Sequence, residues 1–182
     1  IAGHAQEVRI AVGSTDATVI RPPEYSTPSS APYELTIHVD YEAWYLQEST
    51  REQIVVYVNV GTSSYRGGQN AVTQVYLQWP SMPGLYIQKK DFHLNYYSLA
   101  SVEEMPYNVG FDSLCYWHPL YPNPGVAVFS YRYIIQNFRS YEGRSVQLVL
   151  CASLLGFWGD ESNDLSTAWA IATIPLTDQP YS

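Results

Sequence analysis

Apolar and polar residues alternate along most of the chain with a period of two. The clearest run has apolar side chains at every second position from Leu35 to Tyr41, with Thr36, His38 and Asp40 between them. Successive side chains of a β-strand point to opposite faces, so this pattern predicts an amphipathic strand with one buried face. The same rhythm, or a comparable richness in β-branched, aromatic and small residues, recurs at 8–12, 54–60, 72–79, 85–94, 126–133, 146–150 and 168–174. Helix is minor: only 41–49 and 97–105 could form a short helix or a single helical turn.

Proline-rich and glycine-rich breaks separate these strands at 21–32, 61–70, 80–84 and 119–125. Connections of this length are typical of strands that change sheets, and we expect 21–32 to cross from one sheet to the other. The sequence therefore predicts an all-β fold in which residues 1–182 form a single domain. Its architecture is expected to be a two-sheet antiparallel sandwich of about eight strands, of the jelly-roll or Greek-key type.

Composition limits the functions that such a domain can have. A chain of 182 residues with 46% apolar content can bury one substantial core. Its 9 basic residues against 17 acidic ones give a net charge of -8, which excludes a cationic surface that neutralises phosphates, so we expect no direct binding of nucleic acid. No apolar run reaches the roughly 18 to 20 residues that span a bilayer, so no membrane span is predicted. The chain starts at Ile1, which suggests a processed product or an excised domain.

Few residues suggest a metal or a cofactor, and we expect no cofactor. Cys115 and Cys151 lack the close spacing of a metal or redox pair; free buried thiols are expected, although a disulfide is open if their Cα atoms lie within roughly 7 Å. The acidic stretch near the C-terminus offers calcium-type oxygen ligands at Asp160, Glu161, Asn163 and Asp164. It lacks the register of a calcium-binding loop, so a solvated turn is the simpler interpretation.

No catalytic residues are predicted. The chain has no G-x-S-x-G motif, and its histidines are scattered. Paired carboxylates could serve glycoside hydrolysis, with Glu34, Asp40 or Glu42 partnered by Glu52, Glu103 or Glu104. The first three share the polar face of one strand, which explains them without chemistry. We therefore expect a protein that is not an enzyme, with a β-sandwich glycosidase as the third hypothesis.

Aromatic residues are the main surplus, with 17 Tyr and 5 Trp. Tyr and Trp faces stack on sugar rings or proline-rich peptides at small entropic cost. Two clusters are candidate contact surfaces: Tyr41, Trp44 and Tyr45, and then Tyr116, Trp117 and Tyr121. Packing of the first cluster in the core and of the second in a proline-braced loop is the structural alternative.

The C-terminal third carries a family resemblance. The strand-like segment GVAVFSYRYIIQNF at 125–138 is followed by SVQLVLCAS at 145–153 and by a polar break at 159–164. This succession resembles the last long strands of picorna-like jelly-roll viral capsid proteins. The resemblance implies a structural subunit of a viral capsid or of a surface projection (spike), located in the virion and acting through assembly with copies of itself or with sister capsid chains. The alternative is a secreted or extracellular lectin-like attachment module that binds a glycan receptor.

Overall fold

The fold is built almost entirely of β-strands. The computed structural model describes residues 5–22, 32–66, 71–95, 102–106, 111–118, 128–154 and 166–182. Within them the strands are β1 (Ala5–Arg21), β2 (Tyr33–Glu48), β3 (Arg51–Arg66), β4 (Ala71–Gln78), β5 (Tyr86–Asn95), β6 (Val102–Pro106), β7 (Phe111–His118), β8 (Val128–Gln136), β9 (Ser145–Leu154) and β10 (Ser166–Pro175). The only helix among these described residues is a 3-10 turn at Arg139–Tyr141. No helix in the described part of the chain is long and apolar enough to cross a membrane.

The strands form two antiparallel sheets, which confirms the predicted sandwich. The first sheet has the order β1-β2-β3-β8-β5, and the second has the order β10-β9-β4-β7-β6. From β3 to β6 the chain alternates between the two sheets, and it returns to the first sheet at β8 before entering the second at β9. These crossovers make the topology Greek-key in type.

Alternating side chains fill the space between the sheets. The inward positions of β2 include Leu35, Ile37 and Val39, and all three are at most 1% exposed. On β8, the buried Tyr131 donates a hydrogen bond from its hydroxyl to the carbonyl oxygen of Val75 on β4, at 3.4 Å. The core is therefore joined across the two sheets by a polar contact as well as by apolar burial.

Three local predictions are wrong, and a fourth is wrong in its described part. The segment 41–49 is not helical, because residues up to Glu48 continue β2. Of the other segment expected to form a helical turn, 97–105, residues 102–105 belong to β6, and 97–101 lie outside the described residues. Strand β3 runs on to Arg66, so the break predicted at 61–70 begins later. The connection after Arg21 does not cross between sheets, since Arg21 lies opposite Tyr33 in the β1–β2 pair of the first sheet.

A bulge reverses the faces of β1. The pairing with β2 shifts between Arg9 and Ala11, and both Ile10 and Ala11 are buried. An extra residue in one strand moves every later side chain to the opposite face. Val12 therefore pairs with Glu42 on the outer face, and the prediction that it shares the core face of Val8 and Ile10 is wrong.

The ring of Tyr41 lies against Gly13 on β1. A Cβ atom at Gly13 would meet the Tyr41 hydroxyl oxygen at 2.5 Å and Cζ at 2.8 Å. We expect Gly13→Ala to lower the free energy of unfolding by about 1–2 kcal/mol, because the half-buried ring must move. Urea unfolding of Gly13→Ala, Tyr41→Leu and the double variant checks this result. If Gly13→Ala costs as much in the Tyr41→Leu background as in the wild type, the contact with the ring is not the cause.

The two cysteines lie on strands that flank β4. Cys115 and Cys151 are both register partners of Gln74, one on β7 and the other on β9. Two strand spacings put their Cα atoms roughly 9.6 Å apart, beyond the roughly 7 Å that a disulfide tolerates. The fold therefore excludes a disulfide between them, and Cys151 is a buried thiol.

Candidate functional site

The first aromatic cluster is divided between the two faces of β2. Tyr45 is buried at 2% exposure, and Tyr41 packs against the core. Trp44 points the other way, to the outer face of the first sheet, where the guanidinium of Arg9 lies 5.7 Å from its ring centroid. Of these three residues, only Trp44 contributes to an outer surface, since neighbouring positions of a strand face opposite sides.

The second aromatic cluster lies partly on a strand of the second sheet. Tyr116 and Trp117 belong to β7, opposite Thr73 and Val72 of β4. Tyr121 lies outside the described residues, and so do the calcium candidates Asp160, Glu161, Asn163 and Asp164. Within the part that the structure describes, no group of three or more His, Cys, Asp or Glu side chains could hold a metal ion.

Tyr57 is the most exposed aromatic residue near the centre of the first sheet. It is 41% exposed, and its register partners are Glu42 on β2 and Arg132 on β8. Two residues further along the strands, on the same outer face, Trp44 of β2 pairs with Val55 of β3. The outer face of the first sheet therefore combines an open aromatic ring with a carboxylate on one side and a guanidinium on the other.

A second outer surface lies on β10, at the edge of the second sheet. Trp169 is 57% exposed and Ile171 is 56% exposed. Their register partners on β9 are Cys151 and Val149, which share this outer face and are each 2% exposed. The alternation of Ala168, Ala170, Ala172 and Ile174 predicted the inner face of this strand. The same alternation places Trp169 and Ile171 on the outer face, and this was the sequence signal for the second outer surface.

His38 is held between two carboxylates on the outer face of the first sheet. Its Nδ1 lies 2.5 Å from Oδ1 of Asp16, its register partner on β1, and its Nε2 lies 2.9 Å from Oδ1 of Asp40. Ionised carboxylates only accept hydrogen bonds, so both contacts are hydrogen bonds only when both ring nitrogens carry a proton, which favours the imidazolium form of His38. The β3 partner of His38 is Gly61, which adds no side chain.

This geometry raises the pKa of His38 above its ordinary value of 6.5. The hydrogen bond that the ring donates to Asp16 is the largest cause, burial opposes the rise, and Asp40 adds to it. Because the pKa of His38 is higher in the folded protein than in the unfolded one, the protonated ring stabilises the fold. This contribution is complete below pH 6.5 and is lost as the pH rises through the folded pKa. We expect NMR titration to give a pKa above 6.5, and Asp16→Asn to lower it more than Asp40→Asn does. An unchanged pKa in Asp16→Asn would contradict the contact.

Arg139 gathers acidic side chains at one end of the sandwich. Its Nε donates to Oε2 of Glu52 at 2.9 Å, and Nη2 donates to Oε1 of the same carboxylate. Nη1 donates to Glu142 at 2.6 Å and to Asp178 at 3.0 Å. Beside it lies a depression of about 330 Å³, lined by Thr50, Glu52, Asn137, Phe138, Arg139 and Ser140. The two charged residues that line this depression, Glu52 and Arg139, bind one another, which favours a structural role for them.

Two of the carboxylates considered for glycoside hydrolysis bind other side chains in the structure. Asp40 binds His38, and Glu52 binds Arg139. The hydrogen bonds from Arg139 and then from Tyr45 lower the pKa of Glu52 to about 2. A general acid needs a raised pKa, so Glu52 is shifted in the wrong direction for that role. Glu103 and Glu104 lie on β6, paired with Cys115 and Leu114 of β7.

Comparison with known proteins leaves the family open. No protein-family model matches the chain, and no curated protein matches it. Among solved structures, the chain is similar to one in a structure of manganese lipoxygenase of Gaeumannomyces graminis with part of zonadhesin of Komagataella pastoris, at a TM-score of 0.40 and 9% identity, covering 95% of this chain and 85% of that chain. A likeness this weak does not bear on the function of this chain.

Proposed function

We propose that the protein is a non-enzymatic structural subunit that works by assembling with copies of itself or with sister chains, as a jelly-roll subunit of a viral capsid or surface projection does. The observation that carries the proposal is the exposure of large apolar side chains on the outer faces of both sheets. Tyr57 and Tyr86 lie on the first sheet, and Trp169 and Ile171 lie on the second. Aromatic residues are enriched in interface cores.

The molar mass in solution tests this proposal. Light scattering over a concentration series, with and without calcium, is expected to give a mass that grows to a closed trimer, pentamer or larger particle. A mass that stays at the monomer value of 20.6 kDa at every concentration would count decisively against assembly with copies of itself.

A second candidate function is glycan attachment at the outer face of the first sheet. What favours it is the exposed ring of Tyr57 between Glu42 and Arg132. An aromatic face can stack on the C–H face of a sugar, while the flanking charged groups bind its hydroxyls. The Arg9 guanidinium already lies over Trp44, so Tyr57 offers the more accessible ring.

A glycan array separates this candidate from the first. We expect Tyr57→Ala to weaken binding of the bound glycan by about tenfold or more, equivalent to about 1.4 kcal/mol. Tyr86→Ala is the matched control, since Tyr86 is 49% exposed on the same sheet but lies on the edge strand β5. The candidate is removed if the wild-type protein binds no glycan or if both variants bind equally.

A further inference from the structure

Three adjacent strands of the second sheet contain no ionisable acidic, basic or histidine side chain. They are β10, β9 and β4, with the sequences STAWAIATIP, SVQLVLCASL and AVTQVYLQ. The whole chain carries 17 acidic and 9 basic residues, so a continuous uncharged surface of this extent is unusual for it. We call the outward side of these three strands the uncharged face.

The exposed apolar part of the uncharged face lies on β10, at the edge of the sheet. Trp169 and Ile171 are more than half exposed on β10. Beside them on β9, Cys151 and Val149 are buried and stand outside the core cluster that fills the space between the sheets. Thr167 and Thr173 extend the row on β10 and are also exposed. The face therefore has an apolar centre with uncharged polar groups at its ends, which is the composition of an interface core with its rim.

Charge indicates what covers this face. Two copies of a chain with a net charge of -8 repel each other, and they can approach closely where neither surface carries charge. The outer face of the first sheet differs, because Asp16, Glu42 and Arg132 all lie on it. A strongly charged partner would find complementary groups there and none on the uncharged face.

We propose that the uncharged face is a homotypic interface, at which a second copy of this chain docks through Trp169 and Ile171. The proposal rests on the proposed assembly function and names its contact surface. A two-fold arrangement satisfies it, because each copy then places Trp169 against the apolar centre of the other.

The size of the face sets the strength of the contact. Three strands at a spacing of about 4.8 Å and a rise of about 3.3 Å per residue give roughly 400 Å² of flat area over eight residues. A standard interface buries roughly 800 Å² on each partner. We therefore expect association at this face alone to be reversible and dependent on concentration.

Sedimentation velocity on the full chain tests the proposal with two matched variants. Ile171→Lys places a charge in the uncharged face, and Ile20→Lys makes the same change at an equally exposed isoleucine on β1 of the first sheet. We expect Ile171→Lys to raise the dissociation constant of self-association by about tenfold or more, and Ile20→Lys to leave it within about twofold. Thermal unfolding of both variants checks that they are folded. If Ile171→Lys does not fold, Trp169→Thr is used in its place.

The outcomes separate this inference from the proposed function. If the wild-type protein associates and Ile171→Lys associates equally well, the uncharged face is not the interface, and assembly uses another surface. If Ile20→Lys weakens association as much as Ile171→Lys does, added charge alone is responsible and the inference fails. A wild-type protein that is monomeric throughout overturns assembly with copies of itself and this interface with it.

Discussion

Replacing Phe138 by alanine is expected to lower the free energy of unfolding by about 3–5 kcal/mol, the usual cost of truncating a buried aromatic side chain. Phe138 follows β8 and is fully buried in the core cluster. Its ring meets that of Tyr45 edge-to-face, with centroids 6.0 Å apart and planes at 81°. The guanidinium of Arg139 lies 5.2 Å from its centroid. Truncation removes the apolar burial and both ring contacts, and it leaves a cavity under the Arg139 cluster.

Urea unfolding followed by circular dichroism measures this effect. Phe138→Leu keeps most of the volume and is expected to cost less than half as much as alanine, about 1–2 kcal/mol. Tyr181→Ala, at a 55% exposed ring near the C-terminus, is the surface control and should stay within about 0.5 kcal/mol of wild type. A Phe138→Ala protein whose free energy of unfolding lies within about 1 kcal/mol of the wild-type value would show that the end of the sandwich is loosely packed.

The inner faces of the long strands could be predicted from the sequence because local alternation determines them. Leu35, Ile37 and Val39 alternate with polar residues and are all buried. The same rule shows why the first aromatic cluster was not one surface. Trp44 and Tyr45 are neighbours in the chain and therefore point to opposite sides of β2. In a strand, closeness in sequence therefore does not predict a shared surface, because adjacent residues face opposite sides.

Features that depend on a partner strand were not predictable in this way. The bulge near Ile10 is a property of the β1–β2 pairing, and it moves Val12 to the outer face although the local pattern places it inside. Strand β6 has only five residues, VEEMP, and its adjacent glutamates break the alternation. His38 contacts Asp16, which is 22 positions away in the chain, and Arg139 contacts Glu52, which is 87 positions away. No local motif could reveal contacts of this separation.

The cluster around Arg139 joins three parts of the chain that are distant in sequence. Glu52 is on β3, Glu142 follows the 3-10 turn, and Asp178 is in the C-terminal segment. Nη2 of Arg139 also donates to the hydroxyl oxygen of Tyr45 at 3.2 Å. The Arg139 side chain is 39% exposed, and that of Glu52 is 28% exposed, so solvent screens each pair in part. Four acceptors on one guanidinium nevertheless make a network, which contributes more than isolated surface pairs do.

We expect Arg139→Met to lower the free energy of unfolding by about 2 kcal/mol, because Glu52 and Tyr45 lose a charged donor and the screening by solvent limits the cost. Glu142→Gln removes one exposed partner and should cost less than about 0.5 kcal/mol. Arg139→Lys keeps the charge but loses the paired donation to Glu52, so its free energy of unfolding should lie nearer to that of Arg139→Met than to that of the wild type. Urea unfolding at neutral pH gives the three values, and equal stability of Arg139→Met and wild type would show that the network contributes nothing.

The dependence of stability on pH gives an independent check of the same network. In the folded protein the pKa of Glu52 is lowered from 4.5 to about 2, with the hydrogen bonds from Arg139 as the largest cause. A lowered folded pKa contributes stability above the unfolded value of 4.5, and the contribution is lost as the pH falls from 4.5 toward 2. Wild type should therefore lose stability more steeply than Arg139→Met over this interval, and the two curves should converge near pH 2. Parallel curves would mean that Glu52 titrates alike with and without the guanidinium, and that the ion pair does not hold this end of the sandwich together.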